Sequence, residues 1–384
     1  MTVYLDNAAT TRCCKSAAEY MMRLIMEDYG NPSSLHAMGV KAEEEVKTAR
    51  KKIAKTLKAQ KKEIVFTSGG TESNNLAILG SAQANRRAGN HIITTAIEHA
   101  SVQQPMRYLE EQGFRVTYLP VDSHGILCHD ALEEALDEDT ILVSMMLVNN
   151  EIGSITPIDE AVRQIRNRCK HALIHADAIQ AYGKMRLNPK KSGIDLLSAS
   201  GHKIHGPKGS GFLYIKDKTK LSPILFGGGQ QKGMRSGTEN VPAIAGLGEA
   251  AVLAYENFDE KIDRMYGLRE YFIQEASRIA NVTINGSLGR ESAPHIVSVS
   301  VEGVRSEVLL HSLEEKGIYI SAGSACSSNK PSVSRTLEAI ALRRDLLDST
   351  VRFSFCETTT KEELDYTLDC MSEIIPFCRK FTRK

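Results

Sequence analysis

Short runs of β-branched and aliphatic residues at 64–66, 92–95, 116–121, 141–147, 173–176, 196–199 and 212–215 alternate with longer stretches of helical periodicity. Runs so short and so apolar predict strands buried on both faces. The amphipathic stretches 71–87, 101–112 and 158–168 predict the helices that cover them. The expected fold is therefore α/β with a mainly parallel central sheet, and active sites on such sheets lie at strand ends. After a helical pattern at 241–255 the texture changes. A long charged helix at 260–279, strand-like segments at 282–284, 295–301 and 318–321, and an amphipathic helix at 361–377 predict a smaller α+β domain. We expect a large domain over residues 15–258 and a small one built from 1–14 and 259–384.

With 384 residues and 42% hydrophobic content the chain can bury a substantial core. Its 48 Lys and Arg nearly cancel 47 Asp and Glu, so bulk charge favours neither nucleic acid nor an anionic membrane as a partner. No segment approaches the roughly 18 apolar residues of a membrane span, and residues 1–11 do not read as a secretion signal. Cysteines stand at 13, 14, 128, 169, 326, 356, 370 and 378 without a C-x-x-C pair. Reduced thiols in a soluble, cytoplasmic protein are the expectation.

Several segments at predicted strand ends carry residues suited to chemistry. Lys203, in Ser200-Gly201-His202-Lys203, follows one apolar run and precedes another. An amine there is either a solvated loop lysine or one whose pKa desolvation lowers, favouring a Schiff base with an aldehyde cofactor. Pro207 stands where a phosphate loop needs Lys, and His202 and His205 have no thiol or carboxylate at metal-ligand spacing, which argues against zinc. Gly70 and Thr71 begin a helix after a strand, a place for one phosphate or simply a helix cap. Asp177, with Gln180 three residues on, either caps a loop or faces a pyridinium nitrogen, with Gln180 on the ring hydroxyl. His99 is either structural or placed to stack on a cofactor ring and move protons.

Cys326 lies in Gly323-Ser324-Ala325-Cys326-Ser327-Ser328, small residues that cannot fill a core and predict a mobile loop. That setting favours it over the other cysteines as a nucleophile. Arg352, on a predicted strand of the small domain, is suited either to a surface ion pair or to clamping a substrate carboxylate.

Together with Tyr4-Leu-Asp-Asn-Ala-Ala-Thr-Thr, Gly30-Asn-Pro-Ser-Ser, Asn149-Asn150-Glu-Ile-Gly, Gly227-Gly-Gly-Gln-Gln and Arg235-Ser-Gly-Thr-Glu-Asn, these segments resemble the cysteine desulfurases of the class-V aminotransferase group, fold type I enzymes that use pyridoxal 5′-phosphate (PLP), in the branch of NifS-like and IscS-like proteins. The resemblance implies Lys203 as the Schiff-base lysine, and Gly70, Thr71, Ser200 and His202 on the cofactor phosphate, with Thr238 reaching in from the second subunit of a homodimer. It implies Asp177 and Gln180 on the ring nitrogen and hydroxyl, His99 stacked on the ring, and Asn150 and Arg352 on the substrate. Cys326 would take sulfur from L-cysteine as a persulfide, leave alanine, and pass the sulfur to an iron-sulfur scaffold or a tRNA-thiolation protein. It is also the candidate for transient iron-sulfur ligation. A transaminase or selenocysteine lyase of the same fold would share Lys203, Asp177 and His99, and a scaffold subunit without turnover would keep the fold alone. One departure is local: where many relatives have Gly or Ser and then a basic or aromatic residue, this chain has Phe355-Cys356-Glu357.

Overall fold

The computed structural model describes residues 1–322 and 333–381. Its main sheet runs in the order Ile64–Thr67, Gly211–Ile215, Leu196–Ser200, Leu173–Asp177, Thr140–Met146, His91–Thr95, Arg115–Leu119. Gly211–Ile215 alone is antiparallel to its neighbours, so the sheet is mainly parallel, as the alternating pattern predicts. Strands in the middle are buried along nearly their whole length, Thr140–Met146 at every residue. Arg115–Leu119 is the exposed one of the two edges, with only Leu119 buried. That strand stops short of the expected residue 121 because Pro120 has no N–H for a ladder.

Two helices that sequence reading did not single out, Lys15–Met26 and Ala37–Thr56, pack on the nearly all-apolar helix Val241–Tyr255. The contact needs a glycine, since a Cβ on Gly248 would come within 2.8 Å of the Ala49 Cα.

A second apolar core gathers Phe272, Val299, Phe353, Phe355 and Ile375 with Val3 and Leu5 from the other end of the chain. Its antiparallel sheet has the order Ser321–Ala322, Thr350–Ser354, Ile296–Val301, Val282–Asn285. The expected strand at 318–321 is two short ones. Ile318–Tyr319 pairs with Val3–Tyr4, and the chain then crosses so that Ser321–Ala322 pairs with Thr350–Ser354. Burying Val3 and Leu5 in this core lays residues 6–9 across the strand ends of the main sheet.

The charged helix is Phe258–Ala276, and its Arg269 is 1% exposed. The guanidinium donates to the carbonyls of Ser287 (2.6 Å), Leu288 (2.7 Å), Gly289 (3.2 Å) and Ile296 (3.3 Å), fastening the stretch that carries His295 toward the site. Arg269→Met would strand these buried acceptors, and we expect a loss of about 3 kcal/mol or more. Urea unfolding followed by far-UV circular dichroism measures it, the chain having no tryptophan; a loss below about 1 kcal/mol would contradict this role.

Candidate active site

Where the main sheet's strand ends meet the second core, a cavity of about 360 Å³ is lined by Asp6, Gly70, Thr71, His99, Asn150, Asp177, Gln180, Ser200, His202, Lys203 and Arg352. Every proposed site residue of the described chain lies here except Thr238. Thr238 is exposed and borders a separate hollow with Phe66, Ser68 and Gly237. Cys326 lies outside the described residues, but Ser321, just before that stretch, lines the cavity. Ser334, just after it, donates to the Glu151 carboxylate at 2.5 Å, beside Asn150.

Lys203 sits in a short 3₁₀ turn, Gly201–Lys203, that leaves the strand Leu196–Ser200. It is half-buried, and its Nζ donates to the carbonyls of Ala8 (2.5 Å) and Ala9 (2.8 Å). Beside it, burial and then the charges of Lys203 and Lys208 push His202 down to about 4, so its ring is neutral. Its carbonyl accepts from the Thr11 N–H and hydroxyl, at 2.8 and 2.9 Å.

Asp177 ends its strand in full burial. It accepts from the Ile179 N–H at 2.9 Å and from Asn74 Nδ2 at 2.8 Å. Burial raises its pKa, opposed by these donors and by the charges of His99 and Lys203; an anionic Asp177 therefore calls for a cation beside it. Asn74 also donates to Ser101 Oγ at 2.9 Å. Ser101 in turn donates its N–H to His99 Nδ1 at 3.1 Å, which places the proton of the neutral imidazole on Nε2. Burial and then Lys203 lower the His99 pKa, with Asp177 opposing, so the neutral ring is favoured.

Gln180 is spanned on both ends: Nε2 donates to the Ala8 carbonyl at 2.9 Å, and Oε1 accepts from His295 Nε2 at 3.1 Å. Arg352, read from sequence as a surface pair or a substrate clamp, is buried and already paired. It donates to Asp6 Oδ1 at 2.8 Å and to the Asn150 carbonyl at 2.7 Å, leaving a buried Nε without a partner. Gly69, with φ of 152°, opens the helix Gly70–Asn85 and takes the cap position, so Thr71 is not the cap. The first-turn amides there have no intrahelical acceptor, and the buried Ser200 hydroxyl next to them has no partner either.

Asn74, Ser101, Asp6 and His295 were not assigned from sequence. Asn74 had only a weak signal, a place on the buried face of a helix that carries many other polar residues. His295 had none. The expectation that His205 lacks a thiol or carboxylate partner is corrected: folding brings Cys356 and Glu357 to it from about 150 residues away, a proximity that spacing along the chain does not reveal.

The class-V aminotransferase family model matches residues 3–367. The cysteine desulfurase IscS of Dictyoglomus turgidum is 45% identical over 374 residues, 97% of this chain and 94% of that protein. A solved NifS-like protein superposes with a TM-score of 0.93 at 39% identity, covering 98% of this chain and all of that one. SspA in complex with cysteine superposes with a TM-score of 0.79 at 34% identity, over 94% of this chain and all of that one. The chain belongs to the class-V aminotransferase family, within it to the NifS/IscS-like cysteine desulfurases. Membership implies the use of PLP.

Glu98, next to His99, is buried; its Oε1 accepts from the Thr95 hydroxyl (2.6 Å) and the Met146 N–H (2.8 Å), while Oε2 has no partner. Burial, helped by the charge of Asp177 and resisted by those hydrogen bonds, pushes its carboxyl from 4.5 up to about 8. A folded pKa above the unfolded one means the fold holds an extra proton between them. This contribution to stability is full below the unfolded pKa and is lost as pH rises to about 8. We expect wild type to lose stability relative to Glu98→Gln by about 1.4 kcal/mol per pH unit between roughly pH 5 and 8. Parallel urea-unfolding profiles of the two proteins across that range would sink the assignment.

Proposed function

We propose that the chain is a PLP-dependent cysteine desulfurase that converts L-cysteine to L-alanine and takes the sulfur onto Cys326 as a persulfide. The observation that carries the reading is one cavity in which Lys203 faces an anion-ready helix start and a buried carboxylate that calls for a cation. The residues fit the cofactor. The unpartnered Ser200 hydroxyl, the amides of Gly70 and Thr71, and the neutral His202 are donors for a phosphate. Asp177, held by Asn74 and the Ile179 N–H, would keep a pyridinium nitrogen protonated, and Gln180 has an amide hydrogen left for the ring hydroxyl.

When bound, PLP would supply a sink for the electrons released at the substrate Cα. Lys203 would hold its aldehyde carbon and supply the amine that acts as a base at that Cα. His99 would stack on the ring and keep a mobile proton at Nε2. Arg352 and Asn150 would orient the substrate carboxylate, with Asp6 fixing the guanidinium. The Cys326 thiolate then attacks the substrate sulfur: an S–S bond forms, the C–S bond breaks with its electron pair on the carbon side, and protonation there yields alanine. Ser321, before residues 323–332, lines the cavity, and Ser334, after them, is tied to Glu151 next to the cavity residue Asn150, which supports Cys326 as the acceptor.

The active form would be a homodimer in which the partner copy's Thr238 completes the phosphate site. Thr238's position away from its own chain's cavity and the exposed apolar side chains of Leu35 (99%) and Phe226 (79%) support this reading. From Cys326 the sulfur would pass to an acceptor protein of iron-sulfur assembly or tRNA thiolation.

The test is the intact mass of the Cys326 peptide after PLP-loaded protein meets L-cysteine and is alkylated without reductant. A gain of one sulfur, absent in Lys203→Ala, is expected. Asp177→Asn should retain folding but lose at least about 100-fold in alanine release. Cysteine consumed while Cys326 stays a thiol would overturn the sulfur-acceptor role in favour of a lyase or transaminase, and no consumption would favour a scaffold.

A further inference from the structure

Behind the Lys203 turn, outside the cavity, the side chains of His205, Cys356 and Glu357 converge, with ligand-capable atoms all within 4.8 Å of one another. We propose that these three residues form a binding site for a borderline-soft divalent metal of the zinc class, joining the Lys203 turn of the large core to the last strand of the small one.

The donors come from two rigid backbones. On one side the His205 N–H donates to Thr11 Oγ1 at 2.7 Å, and its Nδ1–H donates to the Arg12 carbonyl at 2.9 Å. That second bond fixes the tautomer and directs Nε2 toward the cluster, as backbone carbonyls do for metal-binding histidines. His205 holds φ of 60°, uncommon for a residue with a side chain, so the turn keeps the ring there against a local preference. Its Nε2 is buried and lies 3.1 Å from Glu357 Oε2 without hydrogen-bond geometry toward it.

On the other side Cys356 and Glu357 follow the strand Thr350–Ser354. The Cys356 N–H donates to Thr359 Oγ1 at 3.0 Å, and Arg264 grips the turn by donating to the carbonyls of Glu357 (2.6 Å) and Thr359 (2.9 Å). The Cys356 Sγ is buried, 3.2 Å from Thr358 Oγ1.

A tetrahedral zinc ion with bonds of about 2.0 Å to N and O and about 2.3 Å to S has donor atoms roughly 3.3 to 3.5 Å apart. The His205–Glu357 separation is close to that spacing already, and the three atoms need only small side-chain movements to reach it. One nitrogen, one thiolate and one carboxylate suit zinc, with water in the fourth position, whereas magnesium and calcium take oxygen ligands.

Burial opposes charge on His205, yet Cys356 and Glu357 overcome it and hold the ring at about 9; burial likewise opposes Glu357, but His205 and Lys184 hold it at about 2. The thiol of Cys356 is raised by burial and lowered further by His205 and Thr358, for a net fall. Metal binding would release the proton from His205 Nε2. Lys184, whose charge also acts on the cluster, turns its Nζ to the Lys203 carbonyl instead.

None of the three residues belongs to the desulfurase reading, so the test is independent of it. Reduced, PLP-loaded protein is freed of metal with a chelator, titrated with zinc alone by calorimetry, and its retained zinc counted by elemental analysis after gel filtration. We expect one zinc per chain in wild type and in Cys326→Ser. Cys356→Ser and the isosteric Glu357→Gln should each weaken binding by about 100-fold or more while circular dichroism and PLP absorbance stay unchanged. If Cys356→Ser perturbs folding, Glu357→Gln alone decides. The proposal is overturned if wild type retains no zinc, if Glu357→Gln binds it as tightly as wild type, or if binding disappears in Cys326→Ser.

Discussion

Residues 6–9 are the strap on which the site depends. The Ala8 carbonyl accepts from Lys203 Nζ and from Gln180, the Ala9 carbonyl from Lys203, and Asp6 pairs with Arg352. The strap is held at its other side by Ser354, whose hydroxyl accepts from the Ala8 N–H and whose carbonyl accepts from Asn7. Residues from two apolar cores therefore meet through one short piece of backbone. Its anchor is hydrophobic: Val3 and Leu5 are fully buried in the second core, and that burial holds the polar residues after them in place.

The same division of labour extends inward. Asp177, Asn74, Ser101 and His99 form a chain of hydrogen bonds across three elements of the main sheet layer. In a buried setting such a chain orients its members more firmly than each bond alone would, and it settles both the acceptor state of Asp177 and the tautomer of His99. The unpartnered atoms left over, on Ser200 and Arg352, point to what the cavity is shaped to receive: an anion at the helix start and an acceptor near the guanidinium.

Much of the fold was legible because burial imprints itself on local sequence. Strands such as Thr140–Met146 are apolar throughout since both faces are covered, and the amphipathic helices declare which side faces the sheet. Lys203, Asp177 and His99 were legible because each stands where an apolar run ends, and strand ends are where such sheets hold ligands. The helix Ala37–Thr56 was missed because its buried residues are mostly alanine and valine among charges, a weak apolar stripe. The strand at 318–321 was misjudged because its division depends on two partners, the chain's first residues and Thr350–Ser354, neither of them near in sequence.

By itself the sequence determined the parallel α/β sheet, the family, and the strand-end residues, because period and motif are local properties of the chain. Only the tertiary structure decided that Arg352 is buried against Asp6, that Asn74 holds Asp177, that Thr238 stands apart from its own chain's cavity, and that His205 meets Cys356 and Glu357. Those pairings join segments far apart in sequence through the packing of two cores, and no local periodicity records where such segments meet.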